Sequence, residues 1–163
     1  MRLRLSSRLI QFLAMTLNIN NNLFFAEVES LLSEGESVTV RVRGCSMMPF
    51  LRDSKHSVVV RRCTADDIKI GAVIFFEYRG QWIMHRLRRI EGERLIFAGD
   101  GNYKLEEVVG RDALRGVVTD IISPSGYKFS CESFKWRFKS RVWLMFPAIV
   151  RRYMLAIIRR LKL

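Results

Sequence analysis

Two histidines, three prolines and three cysteines are all that the 163 residues contain of those types, and each shortage narrows what the chain can be. Cys45, Cys63 and Cys131 are odd in number and form no C-x-x-C pair, which argues against a disulfide scaffold and a structural zinc site. No metal and no cofactor is expected. A run of roughly 20 predominantly apolar residues, the length of a membrane-spanning helix, is also missing. The longest uncharged stretch, Leu9 to Ala26, is interrupted by Gln11, Thr16, Asn18, Asn20, Asn21 and Asn22, and Val142 to Val150 is too short. Arg2, Arg4 and Arg8 ahead of Leu9 to Leu17 imitate a secretory signal, but the Asn-rich stretch that follows has no small-x-small cleavage site, so export is the weaker reading.

Acidic residues are absent from both ends. Residues 1–26 carry Arg2, Arg4 and Arg8 and no acid, and residues 133–163 carry Lys135, Arg137, Lys139, Arg141, Arg151, Arg152, Arg159, Arg160 and Lys162 and no acid. The net charge of +12 therefore sits on the ends, and the middle of the chain is neutral. A nucleic-acid-binding fold would spread positive charge over its own domain surface, so nucleic acid is not the expected partner. Basic ends suit an anionic surface such as the cytoplasmic face of a membrane. Hydrophobic residues make up 49% of the chain, enough to fill a core and to exclude wholesale disorder.

Phe24, Phe25, Val28, Leu31 and Leu32 recur at helical spacing and Gly35 stops the pattern, which predicts a short helix over 24–33. From Val38 the period is two, with Val38, Val40 and Val42 alternating with Thr39, Arg41 and Arg43. Further strands are predicted at 57–61, 72–78, 81–89, 94–98, 114–122 and 127–131, with turns at Arg79-Gly80, Glu91-Gly92 and Ser125-Gly126. The fold class expected is mainly β: one antiparallel barrel-like or sandwich domain over 24–132, after an N-terminal extension of 1–23 and before a basic tail of 133–163. On one helical wheel through the tail, Trp143, Phe146, Val150, Tyr153, Met154, Ile157, Ile158 and Leu161 share an arc opposite Arg152, Arg159 and Lys162. A basic amphipathic helix of this kind is expected to lie on a membrane surface, with Arg151, Arg152, Arg159, Arg160 and Lys162 as the contact residues, Pro147 near its start or kinking it and the protein peripheral; the other reading is that its apolar face packs on the β-domain and the arginines are its solvated side.

Chemistry concentrates in Gly44-Cys45-Ser46-Met47-Met48-Pro49, directly after the first strand. A serine on a bend between glycine and proline can project its hydroxyl into a cleft towards which backbone N–H groups also point. The available bases are His56, in a charged turn where it is expected to be solvated, and His85, in the middle of a strand. Cys45, beside the serine, is read as structural.

The serine box resembles the G-x-S-M-x-P box of signal peptidase I and of the LexA-type self-cleaving proteins. His85-Arg86 resembles the His-Arg pair of the archaeal and endoplasmic-reticulum signal peptidases. Gly99-Asp100-Gly101-Asn102 resembles the Gly-Asp-x-Asn box that follows it, and Gly116-Val117-Val118 the closing glycine strand. Three boxes in order over residues 37–122 make the likeness fairly specific. It implies a serine endopeptidase that removes a leader or signal segment from a peptide or protein substrate, with Ser46 as nucleophile and His85 as general base. Asp100 is the first choice for the acid behind the histidine; the stretch 103–107 also offers Glu106 and Glu107, with Glu106 as the alternative third member. Backbone donors around Gly44, Cys45 and Ser46 would hold the oxyanion. The chain departs from the family in having Asp53-Ser54-Lys55-His56 where a Gly-Asp usually stands, and in lacking transmembrane anchors. Two other functions keep the same fold: a catalytically altered accessory or binding module, and a self-cleaving regulator. The second expects a DNA-binding domain, for which residues 1–45 are short, and a cleavage site ahead of the serine.

Overall fold

A computed structural model describes residues 21–102 and 105–161. The expectations that fall on Arg2, Arg4, Arg8 and Lys162 lie outside the described residues. Helix α1 (Asn21–Ser33) leads into β1 (Val38–Arg41), β2 (Ser57–Arg62), β3 (Val73–Tyr78), β4 (Gln81–Glu91), β5 (Arg94–Ala98), β6 (Glu107–Val109), β7 (Leu114–Ile122) and β8 (Lys128–Ser130). Two helices follow, α2 (Phe134–Met145) and α3 (Ala148–Arg160). The eight strands form one curled, half-barrel antiparallel sheet in the order β1-β2-β7-β3-β4-β5-β6, with β8 pairing with β7.

Alternation of side chains gives the sheet two apolar faces. On one, Val58, Val60, Val73, Phe75, Val118 and Ile121 pack with Val28 and Leu32 of α1 and Trp136 of α2. On the other, Ile74, Phe76, Leu87, Leu95, Phe97 and Val117 form a second cluster. Fully burying one such side chain contributes roughly 1.5–3 kcal/mol, so this second cluster firmly fixes β3, β4 and β5 against one another. Helix α1 is already formed at Asn21, inside the stretch read as an extension, and closes at Gly35 with Glu36 N–H on Leu31 C=O (3.0 Å) and Gly35 N–H on Leu32 C=O (3.2 Å).

Two parts of the chain differ from the sequence reading. The strand β6 was not predicted, because three residues carry too little alternation to register. The tail is two helices, because Pro147 caps α3 and lacks the N–H that would continue α2. The wheel phase breaks there. Leu155, off the predicted arc, is buried with Trp143 and Met48, while Phe146, Val150, Tyr153, Ile157 and Leu161 face outward.

Candidate active site

The loop between β1 and β2 holds the serine box. Gly44 sits at φ +85°, a conformation that disfavours a side chain, and its N–H donates to Asp53 Oδ1 (2.8 Å). Met47 and Leu51 are buried in the first apolar cluster, and Leu51 N–H donates to Met47 C=O (3.0 Å). These anchors leave Ser46 half-exposed at the surface of the loop. Among the described residues, neither its Oγ nor its N–H has a hydrogen-bond partner.

His56 closes the same loop and is buried, not solvated as its charged turn suggested. Its Nδ1 accepts from Arg52 N–H (3.1 Å) while its own carbonyl accepts from Val42 N–H (2.9 Å), so the ring is part of the loop's framework. Its pKa is lowered, first by burial and then by the charges of Arg52 and Lys55. Below about pH 6.5 the unfolded chain therefore binds a proton that the folded loop resists, and stability falls with pH. The melting temperature is expected to drop between pH 7.5 and 5.5, and by less in His56→Asn, whose amide oxygen can still accept from Arg52. An equal drop in both proteins would contradict this role.

His85 lies on β4 opposite Ile74 of β3, on the face of the second apolar cluster. Phe97 of β5 pairs with both Leu87 and Glu107, which places the Glu107 side chain on that same face. His85 Nδ1 and Glu107 Oε2 are 2.8 Å apart, and both residues are buried. A neutral His85 that donates from Nδ1 to this carboxylate keeps the lone pair of Nε2 free to accept a proton. A methyl group on Gly99 would collide with the Ser46 carbonyl and lie 3.0 Å from His85 Nε2. The backbone carbonyl of Ser46 and the free imidazole nitrogen therefore lie on the same side of Gly99, both beside the point a side chain would occupy, although no hydrogen bond joins Ser46 to His85. One on Gly101 would lie 2.6 Å from the Cys45 carbonyl, and Gly101 N–H donates to Ser46 C=O (2.7 Å). The loop 99–102 thus sits directly on the serine loop, and the close approach requires glycine at both positions.

Asp100, the first choice for the acid behind His85, is placed elsewhere. Neighbouring strand residues point to opposite faces, so Arg86 faces away from His85, and Asp100 meets Arg86. Its carboxylate accepts from Arg86 Nε (3.0 Å) and Nη2 (2.6 Å) and from Arg88 Nη2 (3.2 Å). Arg86 is fully buried, donates to Gly71 C=O (2.8 Å) and stacks over the rings of Phe50 and Trp136. Glu106 is exposed and pairs with Arg89 (2.9 Å), not with the histidine. Of the carboxylates offered by 103–107, Glu107 is the one on the ring; it is the first residue of β6 and is buried, while Glu106 just before the strand is exposed.

Trp143, read only as a tail residue, belongs to the support of this site. Its Nε1–H donates to the Asp100 carbonyl (3.1 Å), and its ring packs with Met48 and Leu155 and edge-on against Phe50. The helix pair therefore grips the serine loop and the 99–102 loop at once. Among the described residues there is no cluster of potential metal ligands, and no helix is long and apolar enough to cross a membrane. Compared with protein-family models, curated proteins and solved structures, the chain matches none.

Proposed function

We propose that the chain is a serine endopeptidase of the signal-peptidase type, with Ser46 as nucleophile, His85 as general base and Glu107 as the acid that orients the base. The observation that carries this reading is the buried His85–Glu107 pair, which leaves Nε2 free beside the serine loop. Ser46 Oγ bonds to the scissile carbonyl carbon as Nε2 takes the hydroxyl proton. The carbon–nitrogen bond then breaks as His85 passes that proton to the leaving amine. A water deprotonated by the same nitrogen cleaves the acyl ester and restores Ser46. The unengaged Ser46 N–H is the donor available to the oxyanion.

The substrate is a leader or signal segment met at an anionic membrane surface, on the cytoplasmic face, where the protein is peripheral. Exposed Phe134, Phe138, Ile149, Tyr153 and Ile157 beside the basic residues of α2 and α3 support this placement. A second reading, a silent binding module, is favoured by the unbonded Ser46 Oγ. One experiment separates them: wild type, Ser46→Ala and His85→Ala are offered leader peptides in the presence of anionic liposomes. Cleavage by wild type alone is expected, and equal processing or none by all three would overturn the peptidase reading.

A further inference from the structure

The exposed charges around Ser46 are almost all cations. Arg41 and Arg43 share the outward face of the chain that leaves β1, opposite the buried Val42, and both reach across to Ser54 on the returning side of the serine loop. Arg41 Nε donates to the Ser54 carbonyl (2.9 Å) and Arg43 Nη1 to the Ser54 hydroxyl (3.1 Å), so two like charges are fixed over one residue, with the exposed Lys55 next to it. Like charges held together repel. Asp53 is the one acid in residues 37–56, and its carboxylate is turned to the backbone: Oδ1 accepts from Gly44 N–H (2.8 Å) and Oδ2 from the Ser54 hydroxyl (3.3 Å). It forms no ion pair among the described residues. The other side of the serine has the same sign. In the loop 99–102 the Asp100 carboxylate is buried against Arg86 and Arg88, so it offers no negative charge to the surface. Of the α3 cations, Arg151 is half-buried, not displayed on the outer face as its expected surface role required, while Arg159 Nη2 lies 3.5 Å from the Gly101 carbonyl.

We infer that this rim selects an acidic peptide, with Arg43 and Lys55 receiving a glutamate or aspartate within about three residues of the scissile bond. Arg43 is exposed, and its Nε and Nη2 have no hydrogen-bond partner among the described residues. These two nitrogens form the planar fork that a carboxylate accepts from in parallel. The reach follows from the chain itself. Arg43 stands three residues before Ser46, at most about 10 Å along an extended backbone, and a bound peptide covers the same span in three residues. A secretory segment opens with cations, which this rim repels, so the leader received here is of the opposite sign. The place of the cut rests on the peptidase reading above; the preference for acid holds for a binding module as well.

The test reads binding by fluorescence anisotropy on the full chain carrying Ser46→Ala, so that no probe is consumed. The probes are short peptides of alanine, serine and leucine with an uncharged dye, differing only in a pair of glutamates, glutamines or lysines. At low salt the glutamate peptide is expected to bind about fivefold more tightly than the glutamine peptide for each carboxylate that meets a cation, and the lysine peptide least. High salt shrinks the difference. Arg43→Gln and Lys55→Gln, each added to that chain, are expected to lose most of the preference. Arg94→Gln is expected to keep it, since it removes an exposed cation at the end of β5 away from the loop 99–102. Equal binding of the three peptides, or an equal loss in Arg43→Gln and Arg94→Gln, would overturn the inference. So would an unchanged preference in Arg43→Gln and Lys55→Gln with weakened binding to phosphatidylglycerol vesicles, which assigns these cations to the membrane. A preference for glutamate in Ser46→Ala, with no peptide cleaved when Ser46 is present, would leave the acidic-peptide site standing and count against the peptidase reading alone.

Discussion

Asp100→Ala is expected to cost about 3–5 kcal/mol of folding stability, because it leaves the Arg86 charge buried without its partner. Arg86 and Asp100 are both almost wholly enclosed, at 1% exposure each, and neither can turn to water when the other is removed. The Gly71 carbonyl and the rings of Phe50 and Trp136 still contact the guanidinium, but none carries a countercharge. Against a total stability of roughly 5–15 kcal/mol the loss is severe. The double variant Arg86→Met/Asp100→Ala should be less destabilised than Asp100→Ala alone, since it removes the unpaired charge with the pair, and Arg88 lies near enough to solvent to rehydrate. Urea unfolding of the three proteins measures this. Equal stability of Asp100→Ala and wild type would show that the carboxylate does not hold the site together.

Glu107→Gln is expected to do the opposite: little change in stability and a fall of about 10²–10⁴-fold in kcat. The amide is nearly isosteric with the carboxylate, so packing at the edge of the second apolar cluster is kept. Its NH2 can donate to Nδ1, which favours the imidazole tautomer with the proton on Nε2, and that tautomer cannot accept from Ser46. The imidazolium formed during the reaction also loses its countercharge. Steady-state kinetics on a peptide cleaved by wild type, alongside unfolding curves, separates the two acids. If Glu107→Gln retains full activity, the assignment of Glu107 is wrong. If Asp100→Asn, assayed while folded, shows the larger fall in kcat with KM unchanged, the first-choice acid was the functional one.

The places of these two acids follow from strand geometry that is only partly legible in the residues. Alternation placed β1 to β5 and β7 within a few residues, because each has an apolar face that only one register buries. It also held the clue to Asp100: His85 and Arg86 are adjacent on a strand and must face opposite ways, so a carboxylate that reaches one is poorly placed for the other. Glu107 was harder. Its burial follows from the Phe97–Glu107 register, a pairing between β5 and a three-residue strand that no local pattern announces. The contribution of Trp143 was hidden by treating the tail as one continuous wheel. Pro147 resets the phase, and the indole that the wheel sets on the lipid-facing arc turns inward to the Asp100 carbonyl.

The proposed peptidase activity requires Ser46 to be a nucleophile activated by the His85–Glu107 pair. Mass spectrometry of the protein after reaction with a fluorophosphonate tests it most directly, because the reagent needs no knowledge of the substrate. A single adduct on Ser46 is expected in wild type, absent in Ser46→Ala and formed far more slowly in His85→Ala and Glu107→Gln. An unmodified Ser46 in wild type, or an adduct formed at the same rate in all proteins that retain the serine, would contradict it.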